Sequence, residues 1–187
     1  MIGTWRLLVR NSTYHYGQIA RLLHWTSVGL LVAAVYSSSL IGSLDEGAAR
    51  NALIAEHVSY GLTLLCVMCA RFLWRQSNPN PIHSYSIYAA QKRIAISVHW
   101  FIYAVIIFQS CIGVAQVVTT GQGVSLFGVQ LSASLAAQDI ELSERLNDIH
   151  LALANLIYWV LGLHITAAIY HQIFGVLDPE DQNSVQQ

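Results

Sequence analysis

Four long apolar stretches dominate the chain, separated by short polar segments: Leu22 to Ile41, Ala52 to Trp74, Ile94 to Val118 and Ile149 to Val176. A helix needs about 20 mainly apolar residues to cross the hydrocarbon core of a bilayer, and each stretch reaches that length. The fourth is long enough to protrude. None sustains the period-two alternation of a membrane strand. The pattern predicts an all-α integral membrane protein. Its four-helix bundle covers 21–176, between a polar N-terminal segment (1–20) and a tail (177–187).

Charge orients the bundle. Arg6, Arg10 and Arg21 precede the first span, and Arg71, Arg75, Lys92 and Arg93 flank the link between the second and third. Cytoplasmic loops carry the excess of Lys and Arg, so both termini are predicted in the cytoplasm. The opposite face has only Arg50 and Arg145, against Asp45, Glu46, Glu56, Asp139, Glu141, Glu144 and Asp148. Asn78-Pro79-Asn80-Pro81 marks a turn on the cytoplasmic side. The longest loop runs from Thr119 to Asn147. Gly121, Gly123 and Gly128 break its start, and Ala133 to Arg145 predicts a short surface helix. The first apolar run is too long for a signal peptide and no clear small-residue cleavage site follows it; an uncleaved anchor is expected.

Composition narrows the function. Hydrophobic residues make up 55% of the 187 and charged residues 10%, against roughly 25% charged in soluble domains. That excludes a disordered chain and argues against a soluble enzyme. A net charge of −1 leaves no basic field for nucleic acid. In so apolar a chain, eight histidines are the main chemical signal.

Six of them, His24, His57, His99, His150, His164 and His171, fall in or at the ends of the spans, whereas His15 and His83 lie in polar segments and read as surface residues. An ionisable side chain in a membrane helix points to function. His150 and His164 are fourteen residues apart, close to four whole turns, so both point to one face of the fourth span. They are separated along the axis by roughly 21 Å. His57 stands near the outer start of the second span and His24 near the cytoplasmic start of the first. The depths pair His57 with His150 and His24 with His164.

Two stacked pairs of facing histidines predict two b-type haems, because bundles build cofactor sites from side chains on facing helices. Two axial histidines leave no open position on iron, which favours electron transfer over oxygen binding. The alternative is a set of hydrogen-bonded packing histidines. A bare metal site is weaker: the histidines are widely spaced, with no carboxylate among them deep in the spans. Gly29, Gly61, Gly113 and Gly162 lie inside the spans and serve either close helix packing or room for a porphyrin face. Trp25, Trp74, Trp100 and Trp159 read mostly as an aromatic belt. Arg21 and Arg71 are candidates for haem propionates, or simply part of the topology signal. Cys66, Cys69 and Cys111 read as small buried residues, and no Cys-x-x-Cys-His occurs for covalent haem attachment.

These residues resemble the bacterial cytochrome b561 family of four-helix dihaem membrane proteins, which includes a superoxide oxidase. The matching segments are Arg21-Leu22-Leu23-His24-Trp25, Glu56-His57-Val58-Ser59-Tyr60-Gly61 running to Arg71, and His99-Trp100-Phe101-Ile102-Tyr103 running to Gly113. The last runs from His150-Leu151-Ala152-Leu153-Ala154-Asn155-Leu156-Ile157-Tyr158 through Gly162-Leu163-His164 to His171. The resemblance covers roughly 18–175 and implies His24, His57, His150 and His164 as haem ligands, in agreement with the depths. It also implies a ubiquinone site near the cytoplasmic haem. There His171 matches a family histidine, and His99 lies at a similar depth; either could hydrogen-bond a quinone carbonyl or relay its proton, or serve a propionate or packing.

The expected function is electron transfer in the bacterial inner membrane between an outer donor and ubiquinone, with superoxide one candidate donor. The acidic outer loops depart from what an anionic substrate needs. The alternative is a dihaem subunit anchoring a larger respiratory or dehydrogenase complex, as related bundles anchor hydrogenases and formate dehydrogenases, with a redox partner docked on the outer loops. A haem-free transporter is disfavoured, since no acidic residue lies deep in a helix.

Overall fold

The computed structural model describes residues 9–12, 15–79, 81, 89–121, 123–131 and 138–174, with backbone alone at 89–92, 171, 172 and 174. Four helices fall over the four apolar stretches: α1 (Gln18–Ile41), α2 (Ala48–Ser77), α3 (Ala89–Thr119) and α4 (Ile140–Phe174). All four are long and apolar enough to cross a membrane. A small antiparallel hairpin, β1 (Ser125–Leu126) and β2 (Val129–Gln130), lies between α3 and α4. One end of the bundle carries the links 42–47 and 120–139 and is called the loop end. The other, the terminal end, carries the N-terminal segment and the link after α2.

Hydrocarbon offers a backbone or hydroxyl no water, so polar groups in the spans must be satisfied within the protein. The serines do this by bonding back along their own helices. Ser27, Ser37 and Ser59 donate to the carbonyls of His24, Ala34 and Ala55 at 2.7, 2.9 and 2.8 Å. At the terminal end, Gly17 N–H donates to Asn11 Oδ1 (3.0 Å) and Asn11 Nδ2 to the Pro79 carbonyl (3.0 Å), tying the N-terminal segment to the link after α2. Gly17 is required there, since a Cβ would stand 2.4 Å from the Val9 carbonyl oxygen.

The helices pack in sequence order, α1 on α2, α2 on α3 and α3 on α4. Among the described residues no Cα of α4 comes within 8 Å of α1 or α2, and none of α1 within 8 Å of α3, so these helices meet only through side chains. The buried core joins Leu64 and Met68 of α2, Tyr103, Val105 and Ile106 of α3, and Ile157 of α4. The outward faces are apolar and open: Leu73, Trp159 and Leu163 are 64%, 81% and 69% exposed, which suits a surface covered by lipid. Cys66, Cys69 and Cys111 lie on these exposed faces rather than in the core, because the inward positions of α2 and α3 are taken by Leu64, Met68 and Ile106.

The loop end differs from expectation in two ways. No separate surface helix forms over the described part of 133–145, because residues 140–145 are the first turns of α4. Asp139 caps them by accepting the Leu142 N–H at 3.0 Å, and Glu141 pairs with Arg145 one turn on. Residues 133–137 lie outside the described residues. The glycine-broken start of the loop, in turn, is a hairpin. Its two turn residues, Phe127 (φ 47°) and Gly128 (φ 85°), are both left-handed, the sense that matches the twist of paired strands. Phenylalanine rarely adopts that conformation. Here Phe127 N–H donates to Ser59 Oγ at 2.9 Å and its ring meets Tyr60 edge-on at 5.6 Å, which offsets the strain.

Met68 is 1% exposed and central to the contact of α2 with its neighbours. Met68→Ala leaves a cavity that lipid cannot fill and is expected to cost on the order of 2 kcal/mol. The measurement is the midpoint of detergent-induced or thermal loss of helicity; an unchanged midpoint contradicts this packing.

Candidate cofactor site between the helices

Helices that pack directly run with their axes about 8–10 Å apart. The absence of such packing between α4 and the α1–α2 pair leaves a slot, with α3 as its back wall. Histidines reach into it from both sides at two depths.

At the loop end His57 of α2 faces His150 of α4, with ring centres 6.1 Å apart and planes at 82°. A metal held by both rings through bonds of about 2 Å sets their centres roughly 6 Å apart, once the span from nitrogen to ring centre is added. The observed spacing fits. The His57 tautomer is fixed from behind. Its Nδ1 lies 2.9 Å from the Ala34 carbonyl and 3.1 Å from Ser37 Oγ. A carbonyl can only accept, so Nδ1 carries the proton, and Nε2 keeps a lone pair free to bind a metal. Ser37 gives its own proton to the same Ala34 carbonyl, so its oxygen serves His57 as an acceptor.

His150 is held by shape. A Cβ on Gly113 of α3 would stand 3.0 Å from His150 Cε1 and 3.4 Å from Nδ1, so the ring lies closely against the glycine and any larger side chain there must displace it. Gly113 thus makes room for the imidazole. Gln109, one turn away, donates Nε2–H to the His150 carbonyl at 3.0 Å. A second carboxamide bond joins Gln116 to Asn147 at 3.1 Å. Together they set the rotation of α4 on α3. Among the described residues His150 Nδ1 and Gln109 Oε1, both buried, have no hydrogen-bond partner.

At the terminal end the arrangement is a cluster. His99 of α3 meets His164 of α4 edge-on, with ring centres 5.3 Å apart, closer than a shared metal would set them. His99 Nδ1–H donates to the Ala95 carbonyl at 2.6 Å, which leaves its Nε2 bare. His24 of α1 is within electrostatic range of His164, His99 and Arg71, and its buried Nδ1 has no hydrogen-bond partner. Among the described residues no ring contact joins His24 to His164; the ring neighbour of His24 is Trp25, at 5.4 Å. Arg71 donates to Ser27 Oγ at 3.1 Å and lies over the Tyr103 ring at 5.3 Å. Among the described residues it has no carboxylate partner, the one ion pair being Arg145 with Glu141. Arg21 is exposed on α1. His171 falls within α4, but its side chain lies outside the described residues.

Between the two levels the bundle is dry. Leu64, Ile106 and Ile157 stand seven residues from His57, His99 and His150 respectively, about 10 Å along each axis. Among the described residues no group of three or more His, Cys, Asp or Glu could by itself hold a metal ion. Neutral imidazoles facing each other across an apolar gap suit a flat, metal-bearing cofactor instead. Gly61, one turn from His57, adds open space, since nothing lies within 4 Å of where its Cβ would be.

Several contributors were not foreseen: Ser37, Ser27, the Ala34 carbonyl and Gln109. A signal existed for Gln109, a carboxamide deep in an apolar span.

A family model described as prokaryotic cytochrome b561 matches residues 15–178. The chain is 30% identical over 149 residues to a probable superoxide oxidase, CybB, of Yersinia pestis, covering 80% of this chain and 84% of that protein. It is 25% identical over 151 residues to cytochrome b561 homolog 1 of Escherichia coli strain K12, covering 80% and 85%.

Gly113→Val fills the space of the His150 ring. It is expected to remove most of the cofactor bound at the loop end while leaving helicity intact, read as visible absorbance per protein alongside circular dichroism. Full absorbance in the folded variant refutes the role given to Gly113.

Proposed function

This chain belongs to the prokaryotic cytochrome b561 family, and on that premise we propose that it carries electrons through two haems stacked in the slot, from a donor on one face to ubiquinone near the other. It is a multi-pass bacterial membrane protein, a b-type cytochrome that binds haem b and serves electron transfer. Bound haem supplies a one-electron change at iron. The finer reading rests above all on His57 and His150, facing across the slot at 6.1 Å with His57 Nε2 unprotonated.

In this reading His57 and His150 hold the haem at the loop end, and His24 and His164 hold the one at the terminal end. Anchoring to the Ala34 carbonyl and Ser37 makes His57 the fixed ligand and raises its donor strength. His99, whose ring meets that of His164 edge-on, positions that ring rather than meeting quinone. Arg71, a half-buried cation without an acidic partner among the described residues, is suited to a haem propionate. Exposed Arg21 is less suited. His171 is the candidate for the quinone. The layer of Leu64, Ile106 and Ile157 sets buried apolar side chains between the levels.

The basic terminal end faces the cytoplasm of an inner-membrane protein in this reading, and the acidic loop end meets the donor. A relative is named a probable superoxide oxidase, which makes superoxide a candidate. The acidic rim supports a second reading. Arg145 is engaged by Glu141, so little positive charge faces an anion there. Such a rim suits a basic redox protein, as for a subunit docked in a larger complex.

Histidine variants test the pairing. His57→Ala or His150→Ala is expected to abolish the loop-end haem and spare the other, while His24→Ala or His164→Ala does the reverse; loss of both or neither in folded protein contradicts it. Ser37→Ala should keep both haems. It removes one of two acceptors from His57 Nδ1–H, so the ligand becomes a weaker donor and the potential rises. An unmoved potential in redox titration means Ser37 does not act through His57. Fast haem reduction by superoxide, followed by quinone reduction, supports an oxidase acting alone. Inertness to superoxide together with co-purification in a stable assembly supports the subunit reading.

A further inference from the structure

We propose that the hairpin of β1 and β2 is a membrane-surface anchor, with Phe127, Val129 and Leu131 seated at the boundary between headgroups and acyl chains of the leaflet at the loop end.

The chain turns back toward the bilayer after α3. Thr119 closes α3 six residues beyond Gly113, the residue that faces His150, and so stands about 9 Å above that histidine level. The hairpin tip then descends. Phe127 N–H is bonded to Ser59 Oγ at 2.9 Å, and Ser59 lies two residues past His57 along α2, about 3 Å deeper. On α4 the last acid before the apolar run from Ile149 is Asp148, two residues on the loop side of His150, so Ser59 stands about 6 Å deeper than that membrane edge. The hairpin therefore lies beside the bundle at the rim of the hydrocarbon, not above it in bulk water.

The two sides of the segment differ. Toward the protein, Val124 is 7% exposed and Ser59 beneath the tip 1% exposed. Beyond them Phe127, whose ring rests edge-on against Tyr60, Val129 and Leu131 are 56%, 64% and 53% exposed, with Gln130 exposed among them. No charge occurs anywhere in 124–131. These exposed side chains are apolar like the exposed sides of the helices, such as Trp159 and Leu163. Aromatic and branched apolar side chains next to charged loops are favourable at an interface. A limit from the other direction fixes the depth. A two-stranded ribbon keeps polar backbone along its rims, and lipid-exposed irregular backbone does not occur in the hydrocarbon. The headgroup boundary satisfies both the side chains and the rims. The anchor also holds α2 from outside, through Ser59 and Tyr60, next to the helix turn that carries His57.

The test uses the haem-loaded full chain in lipid nanodiscs, with Cys66, Cys69 and Cys111 replaced by Ala. Val129→Cys and, separately, Leu131→Cys carry a nitroxide label, and Glu46→Cys in the link 42–47 serves as the aqueous reference. Collision with oxygen, which concentrates in lipid, is compared with collision with a water-soluble nickel chelate. The oxygen-to-nickel ratio is expected to be several-fold higher at 129 and 131 than at 46. A ratio equal to that of position 46 overturns the proposal by placing the hairpin in water. Low collision with both reagents overturns it by showing that protein, from a second copy or a partner, covers these side chains.

Discussion

The site depends on a spacing. The fourth helix is kept away from the first two, and the third helix keeps it there. In a soluble bundle water would drive such a gap shut. In a membrane the hydrophobic effect gives helices little reason to close up, so the gap persists where packing and hydrogen bonds define it. The defining contacts lie on α3: Gln109 to the His150 carbonyl, Gln116 to Asn147, and Gly113 under the His150 ring. They fix the rotation of α4 so that His150 and His164 face the slot. With Leu64, Met68, Tyr103, Ile106 and Ile157 filling the centre, the slot is divided into two levels by a dry layer.

Polar groups follow the same logic. Hydroxyls in the spans are returned to backbone carbonyls, and the buried imidazole of His57 is returned to Ala34. Among the described residues five buried polar atoms lack a partner; Trp74 Nε1 and Asn78 Oδ1 lie at the end of α2, and the other three, His24 Nδ1, His150 Nδ1 and Gln109 Oε1, belong to the histidine levels. Arg71 is tethered by Ser27 and covered by Tyr103, with no anion supplied by the described residues. In hydrocarbon such groups are costly, and those on His24, His150 and Gln109, with Arg71, are suited to a further molecule held between the helices.

Much of this was legible in the residues. Apolar runs of membrane length specify the helices because hydrocarbon allows the backbone few other states. The fourteen-residue spacing of His150 and His164 puts them on one face, and the depth of His57 brings it to His150. Less legible was what depends on helix rotation and lateral order. Nothing in α3 alone tells that His99 turns to His164, that Gly113 accommodates an imidazole, or that the cysteines face outward. Ser37 acts through a contact with a residue twenty positions away. The hairpin escaped because glycines read as breakers, and its first turn residue is a phenylalanine held left-handed by Ser59.

The most direct measurement is the number of haems per chain, by pyridine haemochrome assay on detergent-purified protein, with electron paramagnetic resonance of the oxidised form. Two b-type haems per chain, both low-spin with two nitrogen ligands, are predicted from the two histidine levels. One haem per chain, or a high-spin centre with an open coordination position, would contradict the two-level slot.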